Sequence, residues 1–222
     1  HRDLHSFPTR RSSDLAAGQT DPTNTAEIVF DVVFSEAVSG LEPVDLSFAG
    51  STAPGTLNAV VNGSGAIYTV TVTGMTGNGL VMISVSASAA QDSSGNGSMA
   101  STSTDNSVTY IDNTAPEVTI EQAGGQADPT RDSQIFFDVL FSEEVVDFTA
   151  SDVILSASTA PGTLNAVVNG SGAVYTVTVT GMTANGSVVV SIPVGAAQDS
   201  SGNGNLASTS VDNSVDYDIV SI

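Results

Sequence analysis

The sequence predicts an all-β chain of two consecutive sandwich domains, and three observations carry that reading. The chain repeats itself at a spacing of 107 residues, its apolar residues alternate with period two, and its interruptions are turn-forming pairs rather than helix signals. Asp21-Pro22-Thr23 returns as Asp128-Pro129-Thr130, and Phe34-Ser35-Glu36 as Phe141-Ser142-Glu143. Ser51 to Ala66 returns as Ser158 to Ala173 without a change, and Asp105-Asn106 as Asp212-Asn213. Residues 16–110 align with 123–217 without a gap, and roughly two-thirds of positions are identical. Each unit is therefore a whole domain, and the chain is a tandem array.

The elements follow in order within the second unit. Alternating apolar residues mark strands at Val118 and Ile120; at Ile135, Phe137, Val139 and Phe141; and at Val153 and Leu155. Four more follow at Leu164, Ala166 and Val168; at Tyr175, Val177 and Val179; at Val188, Val190 and Ile192; and at Val215 and Tyr217. Asn62-Gly63 and Asn169-Gly170 supply the positive φ angles of a tight hairpin, while Pro54-Gly55 and Pro161-Gly162 interrupt the chain before the next strand. Helical periodicity is absent over ten residues, with room for one short turn at Ala87 to Asp92 and at Val194 to Asp199. Seven strands in about 100 residues predict an immunoglobulin-like β-sandwich, and a unit of that size buries enough surface to fold alone. Tyr68 and Tyr175 are placed to anchor the sheet as core residues.

Composition narrows the partners. Twenty-four Asp and Glu face four Arg, with no Lys, for a formal charge of -20. Such a chain repels phosphate backbones and anionic lipid surfaces, which argues against nucleic acid and membrane-surface partners and favours cations. Absence of Cys removes disulfides and thiolate metal sites, and is compatible with a secreted bacterial protein that folds without oxidative help. No run reaches the roughly 20 apolar residues of a membrane helix, and the start lacks the apolar core of a signal peptide. Secretion signal and anchor are thus expected outside this sequence.

Residues 1–15, HRDLHSFPTRRSSDL, differ from the rest. They hold both histidines and Arg2, Arg10 and Arg11, whereas the remainder carries only Arg131. The segment resembles translated sequencing-adapter read-through and is expected to be a non-native, disordered leader; the functional alternative is a basic targeting or binding arm. Phe7 to Leu15 align with Thr114 to Gln122, so the first unit is expected to lack its own native first strand. The predicted organisation is a leader at 1–15, domain 1 at 16–111, a linker at 112–116 and domain 2 at 117–222.

The acids recur at strand ends and loops. Asp21, Glu36, Asp92 and Asp105 have partners in Asp128, Glu143, Asp199 and Asp212, and Asp45 in Asp152. Sandwich loops gather at two poles, where carboxylates distant in sequence can converge. Two carboxylates about 5 Å apart at an effective dielectric near 20 repel by roughly 3 kcal/mol, a cost that a divalent cation removes. Calcium takes six to eight oxygens and suits an Asp, Asn and Gly-rich loop such as Gln91 to Asn96, although the spacing is not that of an EF-hand. The candidate ligands are Asp112, Asn113, Asp105, Asp128, Asp21, Asp92, Asp199, Asp212, Glu36 and Glu143, and the expected cofactor is structural Ca2+. The competing reading of each is a solvated turn or capping residue. Asn-Gly-Ser at Asn62, Asn96, Asn169 and Asn185 matches a glycosylation sequon but is equally turn chemistry. Gly63-Ser64-Gly65 lacks the context of a nucleophile elbow, and Glu36 with Asp45 lacks the aromatic platform of a glycosidase, so no enzyme is predicted.

The combination A-D-P-T, F-x-V-x-F-S-E-x-V, A-A-Q-D-x-x-G-N-x-x-A-S, D-N-S-V-x-Y and D-N-T-A-P resembles bacterial Ig-like repeats of large surface adhesins and biofilm proteins, over essentially all of residues 16–222. The resemblance implies a non-catalytic, extracellular extender at the bacterial cell surface, calcium-dependent and built of many such domains. Its partners are then neighbouring repeats of the same chain, with calcium stiffening the junction. Asp112-Asn113-Thr114-Ala115-Pro116 is similar to the calcium-binding linkers of cadherins, and Pro116 stiffens the backbone before any ion binds. The alternative is a module that binds carbohydrate or a host or cell-surface protein through avidity.

Overall fold

A computed structural model describes residues 10–219, and it divides after Asp112 into two compact units. In unit 1 the strands are β1 (Arg10–Leu15), β2 (Ile28–Val38), β3 (Leu46–Ser47), β4 (Gly55–Met75), β5 (Gly79–Met82), β6 (Ser84–Val85) and β7 (Ser107–Tyr110). All of their pairings are antiparallel: a three-stranded sheet ordered β1-β2-β4, and the pairs β5-β7 and β3-β6. Unit 2 repeats the plan with β8 (Val118–Gln122), β9 (Gln134–Val145), β10 (Gly162–Met182), β11 (Gly186–Val189) and β12 (Ser214–Tyr217), in sheets β10-β9-β8 and β11-β12. The second unit has only an isolated bridge, Ile154 to Ser191, at the place of β3-β6. Both units have a 3-10 turn just before this place, over Pro43–Asp45 and Ala150–Asp152, but the strand predicted at Val153 and Leu155 is reduced to that single bridge.

Alternation places one face of each central strand in the core. Ile28, Phe30 and Val32 on β2, and Ile135 and Phe137 on β9, are wholly buried, opposite Val70, Val72, Val177 and Val179. The predicted hairpin is longer than two strands joined by a turn, because β4 and β10 each run 21 residues. The backbone folds back on itself closely enough that a Cβ at Gly74 would lie 2.1 Å from the Thr56 carbonyl, and one at Gly181 2.0 Å from that of Thr163. Only glycine fits there, and both have positive φ.

The tyrosines do what the sequence suggests, with a specific bond. Tyr68 Oη donates to the Val38 carbonyl at 2.8 Å and Tyr175 Oη to that of Val145 at 3.2 Å, both buried. Each ring meets the phenylalanine at the far end of the central strand edge-on: Phe34 to Tyr68 at 5.8 Å, and Phe141 to Tyr175 at 5.9 Å. Tyr68 therefore ties β4 to the end of β2 across a break in register that lies between Val33 and Val38.

The leader expected to be disordered is ordered at its end: residues 1–9 lie outside the described residues, but Arg10–Leu15 form β1 and pair with β2, so leader residues stand where the native first strand is expected to be missing. The physical reason is that ladder bonds come from the main chain and accept almost any sequence. The side chains fit less well. Ser13 pairs with Val32 as Ile120 pairs with Val139, and both Ser13 and Ile120 are wholly buried. Ser13 Oγ, however, has no hydrogen-bond partner among the described residues.

Two outcomes follow for stability. Tyr68→Phe leaves the buried Val38 carbonyl without its donor and is expected to lower the stability of unit 1 by about 1–2 kcal/mol in denaturant titration. Ser13→Ile removes the orphaned hydroxyl and fills the site as Ile120 does; it is expected to raise the stability of unit 1 by about 1–2 kcal/mol, read from slower hydrogen exchange of the β2 amides.

Candidate metal centre

Three carboxylates come together around the start of the second repeat. One oxygen from each of Asp112, Glu143 and Asp199 lies within 4.8 Å of the other two, with Asp112 and Asp199 buried and Glu143 half-buried. Three segments meet to place them.

Glu143 sits near the end of β9, where the register shifts. Leu140 pairs with Val174 but Val145 pairs with Gly172, so the intervening β9 residues bulge out of the ladder. A bulge bends the strand and re-aims side chains that would otherwise follow the alternation. Just past it, Val146 N–H donates to the Gln198 carbonyl at 2.8 Å and Gln198 N–H to that of Val146 at 3.2 Å, which sets Asp199 beside the strand end. The leading segment is pinned in turn: Glu117 N–H donates to Ser142 Oγ at 2.9 Å, Ser142 N–H returns a bond to the Glu117 carbonyl at 2.9 Å, and Leu206 N–H donates to the Pro116 carbonyl at 2.8 Å. Asp112 begins that segment, and its own N–H donates to Asn78 Oδ1 at 2.8 Å.

Asp199 is held as an anion. Its Oδ1 accepts from the N–H of Ser201 and of Asn203, and its Oδ2 from Asn203 Nδ2, all at 2.8 Å. Burial opposes the charge most strongly, but these donors and Gly202 together outweigh it and hold the carboxyl below the ordinary range. Asp92 is arranged identically in unit 1, with Ser94 N–H and Asn96 N–H on Oδ1 and Asn96 Nδ2 on Oδ2. The Asn96 side chain is the first cause of its lowered pKa, followed by backbone bonds. The Gln91 to Asn96 loop is thus closed by its own aspartate.

The other candidates separate into different roles. Asp21 Oδ1 accepts from Thr109 N–H at 2.9 Å and Asp128 Oδ1 from Asp216 N–H at 2.9 Å, so both acids secure the last strand of their unit. Asp105 and Asp212 are exposed and meet the first strand through their carbonyls, which accept from Leu15 N–H at 3.1 Å and Gln122 N–H at 2.6 Å. Asn113 is exposed. In unit 1, Glu36 and Asp92 align with Glu143 and Asp199, while the position of Asp112 is taken by His5, outside the described residues.

Sequence reasoning missed one recurring contact. Asn78 accepts from Asp112 N–H, and its counterpart Asn185 accepts from Ile219 N–H at 3.0 Å. The same asparagine therefore clasps the backbone that leaves each unit, whichever side chain follows. The repeated Asn-Gly pair at 78–79 and 185–186 was the available signal, but it reads equally well as a turn.

Chemically, the group offers a hard, anionic, oxygen-only donor set. Three carboxylates fall short of the six to eight oxygens calcium takes, leaving positions for carbonyls and water. Acid should weaken the fold through the two closed loops. Because the folded pKa values of Asp92 and Asp199 lie below 3.8, their stabilisation is complete above the unfolded value and is lost as pH falls below about 4. In calcium-free buffer Asp199→Ala is expected to cost unit 2 about 2 kcal/mol at pH 7 and to flatten its acid-unfolding curve below pH 4.

The model of a family described as a bacterial Ig-like domain matches residues 11–110 and again 112–219. The second match contains all three carboxylates, and the first begins within β1. No match is found among curated proteins. No helix among the described residues is long and apolar enough to cross a membrane. Two matches that together cover nearly the whole chain place it in a non-catalytic structural fold: the chain belongs to the family of bacterial Ig-like domains, as two consecutive copies.

Proposed function

We propose that this chain is an extender segment of a bacterial cell-surface or secreted adhesin, in which Ca2+ held by Asp112, Glu143 and Asp199 stiffens the passage from one repeat to the next. The observation that carries the reading is the convergence of those three carboxylates in a chain without lysine. Buried negative charges repel strongly unless a cation or a proton compensates them, and Asp199 is held ionised by its own loop. Family membership supports a structural role, since Ig-like repeats of this kind are characteristic of surface and secreted proteins.

The mechanism is conditional rigidity. Asn78 fixes the backbone of Asp112, while Ser142 and Leu206 fix that of residues 116–117. A cation on the Asp112 carboxylate adds a side-chain tie to the same segment, so the junction loses the freedom that remains between its anchored points. Neighbouring repeats of the same chain are the immediate partners, and the adhesive contact is made elsewhere.

At dissociation constants of about 0.1–1 mM, about 1 mM calcium stabilises each such site by about 0.4–1.4 kcal/mol. Calorimetry with calcium and with chelator is therefore expected to show a small rise in the unfolding midpoint, and small-angle scattering a longer, narrower distance distribution. Asp112→Asn with Glu143→Gln should abolish both responses. A midpoint and scattering profile indifferent to calcium would overturn the reading.

A further inference from the structure

The edge of β2 in unit 1 is a strand slot whose occupant does not match it. β1 enters in the register that β8 uses in unit 2: Ser13 lies opposite Val32 as Ile120 lies opposite Val139, and Leu15 opposite Phe30 as Gln122 opposite Phe137. Toward Arg10 the two registers part, because β1 shifts between Arg10 and Ser12 and it is Arg10 that pairs with Phe34, where Val118 pairs with Phe141. Where unit 2 buries Val118 and Ile120 almost completely, unit 1 offers an equivalent core of Ile28, Phe30, Val32 and Val108 and receives a serine. That serine is fully buried, and its hydroxyl has no partner among the described residues.

We propose that this slot is a strand-exchange site, which takes up a first strand from another copy of the repeat, of the type Glu117–Gln122, in place of Arg10–Leu15. Main-chain ladder bonds are equivalent for either occupant, so the choice between them falls on alternate side chains directed into the core. Isoleucine at position 13 fills that space and brings no polar group, whereas serine leaves a buried hydroxyl unsatisfied. The outward acid is matched as well. Asp14 Oδ1 accepts from Ser103 Oγ at 2.6 Å, and Glu121 at the equivalent position accepts from the N–H of Val211 and of Asp212 at 3.1 and 2.7 Å. A glutamate in the slot could likewise accept from the loop at 103–105. An occupant without an apolar residue opposite Val32 gains nothing over the resident strand.

The resident strand has the advantage of its tether, equivalent to an effective concentration on the order of 1 mM, so the probe is used up to that range. The full chain is incubated with a fluorescent peptide of sequence Thr114–Gln122 and followed by anisotropy, beside the same peptide carrying Ile120→Ser. Saturable one-to-one binding is expected, at least tenfold weaker for the serine peptide and at least tenfold weaker for a chain carrying Ser13→Ile. Hydrogen exchange should show the amides of Arg10–Leu15 released while those of β2 stay protected. Absence of binding up to about 1 mM, equal binding of both peptides, or release of β8 instead of β1 would each overturn the proposal.

Discussion

Burial of one face of the central strand in each unit is the constraint from which the rest follows. β2 and β9 each pair on both sides, and their inward residues are almost inaccessible to water, from Ile28 to Phe34 and from Ile135 to Phe141. A slip of one residue would turn that whole row outward, which fixes register far more strongly than any single hydrogen bond. With register fixed, the strand ends are fixed too, and the loops at those ends inherit their positions. Glu143 belongs to that consequence. It lies on the strand itself, just beyond Phe141, where the bulge breaks the alternation that a continued ladder would impose.

The chain has no cysteine, so its loops are tied by polar contacts and by apolar residues such as Leu41 and Phe148 buried in the cores. Three kinds of polar contact recur in both units: a tyrosine hydroxyl on the end of the central strand, an aspartate closing its own Asn and Gly-containing loop, and an asparagine clasping the departing backbone. Each satisfies a group that would otherwise be costly to bury, so each contributes more through what its loss exposes than through its own strength. These ties also explain the abundance of Asp without invoking a ligand at every position. Asp21 and Asp128 secure the last strand of their unit, and among the described residues only Asp112, Glu143 and Asp199 meet as a group.

Much of this was legible in the residues. A gapless repeat pointed to two units, period-two alternation to the strands and their inward faces, and the candidate acids at strand ends, loops and the junction included all three members of the carboxylate group. What stayed illegible is physical in origin. Alternation cannot tell two separate strands from one that doubles back, because both bury every second residue; the difference lies in close backbone approach at Gly74 and Gly181. Composition set residues 1–15 apart, yet their last six form a strand, since ladder bonds depend little on side chains. Which acids converge depends on a bulge, and a bulge leaves no periodic trace.

The two units form an internal comparison for the first strand. Their central strands, folded-back hairpins, tyrosine ties and closed loops correspond position by position, so the contrast at β1 and β8 is concentrated in the side chains those strands present. Unit 2 fills its first-strand pocket with Ile120, and unit 1 fills the same pocket with Ser13. That the fold accepts the serine shows how the work is divided. Main-chain pairing with β2 is enough to recruit a strand, and the apolar face then decides how firmly it stays. A repeat built this way holds its central strands by packing on both inner faces, while its first strand is held at one edge alone.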